Sequence, residues 1–110
     1  MILFRREHVE PILAGIKVQT RRTWEKPRAR VGTVHLAKTK MLSTEYFARL
    51  EILAVYPERL GDISEEDAIA EGYPSRAAYL QAFARINRQT VGDDFFEQPV
   101  YVVRFRVVQC

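Results

Sequence analysis

The chain has 110 residues, 47% of them hydrophobic and 28% charged, and 17 basic against 14 acidic residues give it a formal net charge of +3. This length supports one compact core and is too short for two, so we expect a single domain over residues 1–110. The only cysteine is Cys110, which excludes an intrachain disulfide and a cysteine-based metal site.

Neither a signal peptide nor a membrane span is expected. The N-terminal segment is already charged at Arg5, and no apolar run approaches the length that crosses a bilayer. Together with the lone cysteine, these features predict a cytoplasmic protein without a membrane partner. Eight Lys or Arg residues lie between Lys17 and Lys40, against the single acid Glu25. This uneven charge permits an anionic partner such as RNA.

Strands are indicated by alternation and β-branched residues, whereas helices are indicated by apolar residues at helical spacing and by capping residues. In chain order, these patterns predict a strand at 2–5, a helix at about 7–14, strands at 18–23, 33–39 and 46–56, helices at about 64–71 and 76–89, and a strand at 99–108. A basic loop at 25–30 separates the second and third strands.

Two residues and one irregular strand refine this order. Gly15 is expected to end the first helix in a left-handed conformation, and Ser64 to cap the second helix ahead of its acidic first turn. The imperfect alternation at 46–56 indicates a bulge of the kind that barrels need. Because strands that are few and curved usually close, the order predicts an α/β (mixed α+β) fold, a small barrel of about five or six strands with two or three helices.

A motif around the end of the first helix resembles a known signature. The string Ile12-Leu13-Ala14-Gly15-x-Lys17-x-x-Thr20-x-Arg22 is similar to that of ASCH-domain proteins, relatives of the PUA RNA-binding barrel. The likeness extends in order over nearly the whole chain, through the Gly32 strand, a turn at Gly61-Asp62, the helix end Asp67-Ala68-x-x-Glu71-Gly72 and the closing strand. This resemblance implies a PUA-like β-barrel.

The resemblance also implies a set of functional residues. Small members of the family include an amidohydrolase that removes the acyl group from N4-acetylcytidine, and its lysine, threonine and glutamate match Lys17, Thr20 and Glu71. Other members bind RNA, and one has been linked to RNA cleavage. We therefore expect RNA or a modified nucleoside as the partner and no cofactor. The binding residues expected in a basic cleft are Lys17, Arg21, Arg22, Lys38 and Lys40.

The chemistry of these side chains sets geometric conditions on an acyl-transfer site. A threonine hydroxyl is a poor nucleophile without a base, and lysine serves as that base only if desolvation or a second cation lowers its pKa. On a strand, Thr20 and Arg22 share a face, so Lys17 must be re-aimed in the turn after Gly15 to join them. Glu71, in the last turn of a helix, faces the unfavourable end of the helix dipole, as functional residues often do.

Less specific interpretations stay open beside this one. Lys17 can be an ordinary cation near a helix end, Thr20 and Arg22 a polar strand face, and Glu71 a solvated acid. His8 and His35 lack partners at ligand spacing, so no metal site is expected. The sequence thus leaves three hypotheses: RNA or nucleoside binding, an amidohydrolase, and a protein-interaction module whose Lys17 and Arg22 are exposed and dispensable.

Overall fold

The computed structural model describes residues 1–108 and shows five strands and four α-helices there; Gln109 and Cys110 lie outside the described residues. The elements are β1 (Ile2–Leu3), α1 (Val9–Leu13), β2 (Gln19–Arg22), β3 (Val34–Lys38), β4 (Ala48–Arg59), α2 (Glu65–Ala70), α3 (Arg76–Ile86), α4 (Asp93–Glu97) and β5 (Pro99–Val108), with 3₁₀ turns at Arg6–His8 and Leu60–Asp62. No helix among these residues is long and apolar enough to span a membrane.

The strands form one curled sheet in the order β1-β3-β4-β5-β2, a half-barrel with β1 and β2 at its edges. β4 and β5 pair in antiparallel register from Arg49 opposite Val108 to Arg59 opposite Pro99, and the register shifts between Ile52 and Ala54. This shift confirms the bulge expected in the long strand. β2 pairs with β5 in antiparallel fashion, whereas β1 lies parallel to β3.

The expected mixed α+β fold is confirmed, and its five strands curl into a half-barrel. The structure contains one helix that the sequence patterns missed, α4, which has only five residues and no side-chain cap at Gly92. A single turn and a half is too short to show helical periodicity. β4 extends three residues past its predicted end at Tyr56, and Pro57 lies opposite Tyr101 within that extension.

Buried apolar residues form two clusters. The first lies against the sheet and contains Ile2, Phe4, Ile12, Ala29, Ala37, Ala48, Leu50, Ile52, Val103 and Phe105. The second packs α2, α3 and α4 together and contains Leu60, Ile63, Ala68, Tyr79, Leu80, Phe83, Ala84, Phe95 and Val100. Because β2 is an edge strand, the second cluster can pack beside it. The cavity described next lies where the two clusters meet.

A candidate ligand-binding cavity

A cavity of about 260 Å³ opens between β2 and α3, and residues from both apolar clusters line it. Its walls combine aromatic rings with cations and one carboxylate. The lining residues are Leu3, Phe4, Arg5, His8, Lys17, Thr20, Arg21, Arg22, Thr23, Trp24, Glu71, Tyr73, Tyr79, Phe83, Ile86 and Asn87. Lys17, Thr20 and Glu71, which the sequence singled out, therefore lie around one cavity.

Lys17 reaches the cavity because α1 ends in a left-handed turn at Gly15, whose φ is 75°. The N–H groups of Ile16 and Lys17 both donate to the carbonyl of Pro11, at 2.9 and 3.0 Å. Such a cap satisfies carbonyls at the helix end and reverses the chain direction. Lys17 thus leaves α1 pointing inward, and only 2% of its surface is exposed.

Glu71 reaches the same place through the equivalent turn at the end of α2. Gly72 has φ 97°, and the Tyr73 N–H donates to the Ala68 carbonyl at 3.0 Å. A Cβ added at Gly72 would lie 3.4 Å from Lys17 Cβ, so the two turns pack closely. The Val18 N–H, just before β2, donates to the Ala70 carbonyl at 2.8 Å and ties the end of α2 to the edge strand.

The carboxylate of Glu71 lies between two cations. Lys17 Nζ donates to Glu71 Oε1 at 2.9 Å and to the Glu71 carbonyl at 2.8 Å, and Arg21 Nη1 donates to Glu71 Oε2 at 2.8 Å. Glu71 is only 2% exposed. These contacts offset the unfavourable position of a carboxylate at the C-terminal end of a helix, and they account for its burial without an unpaired charge.

Arg21 occupies a different position from the one expected of a ligand-binding cation. Its side chain is completely buried, and beyond Glu71 its guanidinium contacts Glu58 Oε1 at 3.0 Å and Asp67 Oδ2 at 3.2 Å. A guanidinium that holds three carboxylates has few donors left for a ligand. The geometry therefore makes Arg21 a residue that positions Glu71, although it lines the cavity.

Thr20 and Arg22 share one face of β2, as the strand period requires. Arg22 Nε donates to Thr20 Oγ1 at 3.0 Å, and the guanidinium carbon lies 4.9 Å from the centre of the Phe4 ring. Within residues 1–108, Arg22 has no carboxylate at salt-bridge distance, and no hydrogen bond joins Lys17 Nζ to Thr20 Oγ1. Arg22 is thus a half-buried cation that is available to a ligand.

Burial lowers the pKa of the Lys17 ammonium from its ordinary value, because an ion loses solvation when it is withdrawn from water. The Glu71 carboxylate opposes this change in pKa, whereas the Arg22 and Arg21 cations add to it. A lysine acts as a general base near neutral pH only when its pKa is lowered. The pKa of Lys17 is thus shifted in the direction that a general base requires.

The polar lining residues that the sequence reasoning missed include His8, Tyr73 and Tyr79. His8 Nε2 and the Tyr73 hydroxyl are 3.1 Å apart, and burial, helped by the nearby Lys17 cation, lowers the pKa of His8 to about 4. Tyr79 belongs to the apolar face of α3, where its four-residue spacing from Phe83 indicated packing alone. The only signal that could have marked it is a hydroxyl at the centre of an otherwise apolar helix face.

Lys38 and Lys40 are not brought to the cavity. Lys38 Nζ donates to the Ser43 carbonyl at 2.8 Å, and Lys40 is exposed after the end of β3. The basic loop lies nearer, because Thr23 and Trp24 line both the cavity and a shallow depression that continues to Arg28. In the part of the chain that the structure describes, no cluster of three or more His, Cys, Asp or Glu side chains could hold a metal ion.

Comparisons with known proteins show similarity in structure. No family model matches the chain, and no curated protein matches it. The ASCH domain from Lactobacillus crispatus JV V101 superposes with a TM-score of 0.69 at 19% identity, over 90% of this chain and 69% of that one. A DUF984 protein from Enterococcus faecalis V583 superposes with a TM-score of 0.72 at 16% identity, over 93% of this chain and 67% of that one. The chain therefore has an ASCH-like fold.

Proposed function

We propose that the cavity binds the base of a nucleoside or of a nucleotide within RNA. The observation that carries this proposal is the presence, in one aromatic-lined cavity, of a carboxylate on Glu71 and of an Arg22 guanidinium that has no carboxylate partner within residues 1–108. The edge of a base presents hydrogen-bond donors and acceptors side by side, and its faces stack on aromatic rings. The cavity offers hydrogen-bonding side chains for the edge of a base and aromatic rings for its faces.

The size of the cavity supports a small ligand. Sites for drug-sized molecules usually measure about 300 to 1,000 Å³, and this cavity of about 260 Å³ lies just below that range. One base with part of its sugar is the amount of a nucleic acid that such a space accommodates. The adjoining depression at Trp24 and Arg28 gives the rest of a nucleotide a basic surface on which to continue.

Binding can be tested at Trp24, which is partly exposed and lines the cavity. Calorimetric titration with cytidine and with a short single-stranded RNA should show binding by the unmodified protein. Trp24→Ala should weaken it about tenfold, since stacking on an aromatic ring contributes about 1 to 3 kcal/mol per base. Tyr46→Ala, which removes an exposed aromatic residue away from the cavity, is the matched control. No binding, or equal affinity in Trp24→Ala, would contradict the proposal.

A second candidate function, amidohydrolysis of an N4-acylated cytidine, is favoured by the positions of Lys17, Thr20 and Glu71. In this reaction Thr20 Oγ1 attacks the acyl carbon, the hydroxyl proton passes to the neutral form of Lys17, and the C–N bond breaks as the amine leaves. Glu71 accepts hydrogen bonds as a carboxylate, so it first takes the proton from Lys17 across their 2.9 Å contact and then delivers it to the amine. Water then hydrolyses the acyl-threonine ester.

This mechanism is testable by incubating the protein with N4-acetylcytidine and following the release of cytidine. Thr20→Ala should abolish turnover, whereas Thr44→Ala, at an exposed threonine outside the cavity, should retain it. Binding of the substrate should survive Thr20→Ala, because the proposed contacts to the base need no nucleophile. Turnover that is unchanged in Thr20→Ala would exclude Thr20 as the nucleophile.

The third hypothesis, a protein-interaction module, required Lys17 and Arg22 to be exposed. Lys17 is instead buried and Arg22 is half-buried above Phe4. These positions favour a small ligand over a protein surface at this site.

A further inference from the structure

The hydroxyl of Tyr79 is a polar group that faces the cavity. Tyr79 is only 4% exposed, and its hydroxyl makes no hydrogen bond to another residue within 1–108. Yet no fully enclosed side-chain nitrogen or oxygen atom in that part of the chain lacks a partner. The hydroxyl therefore retains some accessible surface, and Tyr79 is one of the residues that line the cavity.

Arg22 supplies a second group of this kind in the lining of the cavity. Its Nε donates to Thr20 Oγ1 and its guanidinium carbon lies 4.9 Å from the centre of the Phe4 ring, so two contacts hold the guanidinium. The Nη1 and Nη2 groups make no hydrogen bond within residues 1–108. A guanidinium whose orientation is set before binding loses little freedom when a ligand arrives.

Both groups are able to donate a hydrogen bond to a ligand. Arginine has no acceptor atom, and burial together with the Glu71 carboxylate raises the pKa of Tyr79, which keeps its hydroxyl protonated. A carbonyl oxygen has two lone pairs and can accept from two donors at once. The Phe4 ring lies beside the Arg22 guanidinium and the Phe83 ring beside that of Tyr79, so each donor has an apolar neighbour that cannot pair with it.

We propose that Tyr79 and Arg22 together bind a ring carbonyl oxygen of the ligand and so select bases that carry an oxo group over bases that lack one. This inference rests on the proposed binding of a base in the cavity and adds the feature of the base that is recognised. A base without a ring oxygen would leave both donors unpaired, and sites that are built to pair with a polar group discriminate strongly against analogues that lack it.

The test uses two pyrimidines of nearly equal size, cytosine and 4-aminopyrimidine, which is the same ring without the oxygen, with uracil as a second oxo base. Dissociation constants are measured by NMR titration at pH 7.5. The unmodified protein should bind cytosine or uracil at least tenfold more tightly than 4-aminopyrimidine. Tyr79→Phe should weaken binding of the oxo base about three- to tenfold and leave 4-aminopyrimidine unchanged. Tyr46→Phe is the control and should change neither.

Arg22→Lys provides a second variant, which keeps the positive charge but not the planar guanidinium. It should reduce the preference for cytosine or uracil over 4-aminopyrimidine. Equal affinity of the unmodified protein for all three rings, or equal losses for all three in Tyr79→Phe, would overturn this inference while leaving base binding intact. Failure of the unmodified protein to bind any of the three, or cytidine, would overturn the proposed function itself. A change in folding caused by the variants would weaken all ligands alike, so the preference between rings separates recognition from stability.

Discussion

At the scale of single residues, the carboxylate of Glu71 has Lys17 Nζ 2.9 Å from one oxygen and Arg21 Nη1 2.8 Å from the other. The effect of removing one charge from the buried group of Lys17, Arg21 and Glu71 depends on which charge is removed. Without Glu71, two buried cations lose their shared carboxylate. Without Lys17, the carboxylate still has Arg21.

We therefore predict that Glu71→Gln lowers the free energy of unfolding by about 3 to 5 kcal/mol, as expected when a buried ion pair loses one member. Lys17→Met should cost clearly less, because Arg21 continues to neutralise Glu71 and the buried ammonium no longer has to be desolvated. Urea unfolding monitored by fluorescence measures both. Glu66→Gln, at an exposed acid of α2, serves as the control and should stay within about 0.5 kcal/mol. Equal losses in the two buried variants would contradict the assignment.

His8 makes stability depend on pH. Burial and the nearby Lys17 cation lower the pKa of His8 to about 4 from an ordinary value of 6.5. Between these two values the unfolded chain binds a proton at His8 that the folded chain does not, so stability should fall as the pH is lowered from 6.5 to 4. Urea unfolding at pH 7.5 and pH 5 should show the loss, and it should be smaller in His8→Asn. An identical loss in that variant would assign the effect to other groups.

The residues of this site differ in how far a sequence can reveal them. Lys17, Thr20 and Glu71 could be named in advance because they stand in two motifs that resemble those of ASCH-domain proteins. The partners of Arg21 could not, since Glu58 and Asp67 lie far along the chain and only the fold brings them together. Tyr79 was hidden for another reason: its ring packs like any core aromatic residue, and the position of its hydroxyl depends on a cavity that no local pattern records.

At the scale of elements, the ends of α1, α2 and α3 share one geometry but not one residue type. Gly15 and Gly72 take the left-handed position after α1 and α2, whereas Arg88, with φ 54°, takes it after α3. The Gln89 N–H donates to the Ala84 carbonyl at 2.9 Å and completes the same cap. A side chain in this conformation costs about 1 to 2 kcal/mol that glycine avoids.

Arg88→Gly should accordingly raise the free energy of unfolding by about 0.5 to 1 kcal/mol, because the relief of strain exceeds the added freedom of the unfolded chain. The same change at Arg85, inside α3, should lower it by about 1 kcal/mol. If the cap geometry is responsible, thermal and urea unfolding should show a higher stability for Arg88→Gly and a lower stability for Arg85→Gly. A loss of stability in both would refute it.

Elements with a strong local signal were predictable and short ones were not. β5 has its predicted bounds because ten residues alternate and its centre is buried, and Ser64 caps α2 by accepting from the Asp67 N–H. β1 is two residues long and depends on pairing with β3, and α4 packs against the 3₁₀ turn that contains Gly61. Their bounds are determined by tertiary contacts, which periodicity does not report.

At the scale of the whole molecule, the cavity and the basic loop differ in how far carboxylates compensate their positive charges. Within the cavity, carboxylates compensate the charges of Lys17 and Arg21, whereas Arg22 has no carboxylate at salt-bridge distance within residues 1–108 and can donate hydrogen bonds to a neutral base. Lys26 and Arg28 are exposed beside it and have no carboxylate partner at salt-bridge distance within residues 1–108. These two cations are placed to attract phosphates.

This division predicts different responses to salt. Affinity for single-stranded RNA should fall with rising salt, with a logarithmic slope of about −0.7 for each phosphate contact, whereas affinity for free cytidine should barely change. Replacing both Lys26 and Arg28 with Ala should make the RNA slope shallower by about 1.4 and leave cytidine binding intact. Arg49→Ala, at an exposed arginine outside the cavity lining, is the control. A cytidine affinity as sensitive to salt as that of RNA would contradict the division.

The pairing of β2 with β5 also determines at which stage of chain synthesis the cavity can form. Gln19 lies opposite Arg104, so the strand that carries Thr20 and Arg22 finds its partner only near the other end of the described chain. Contacts between such distant segments form slowly, and during translation β5 leaves the ribosome after the other four strands described here. The nascent chain therefore lacks the cavity until β5 has been made, so protection from proteolysis by a ligand of the cavity should begin only after release of β5.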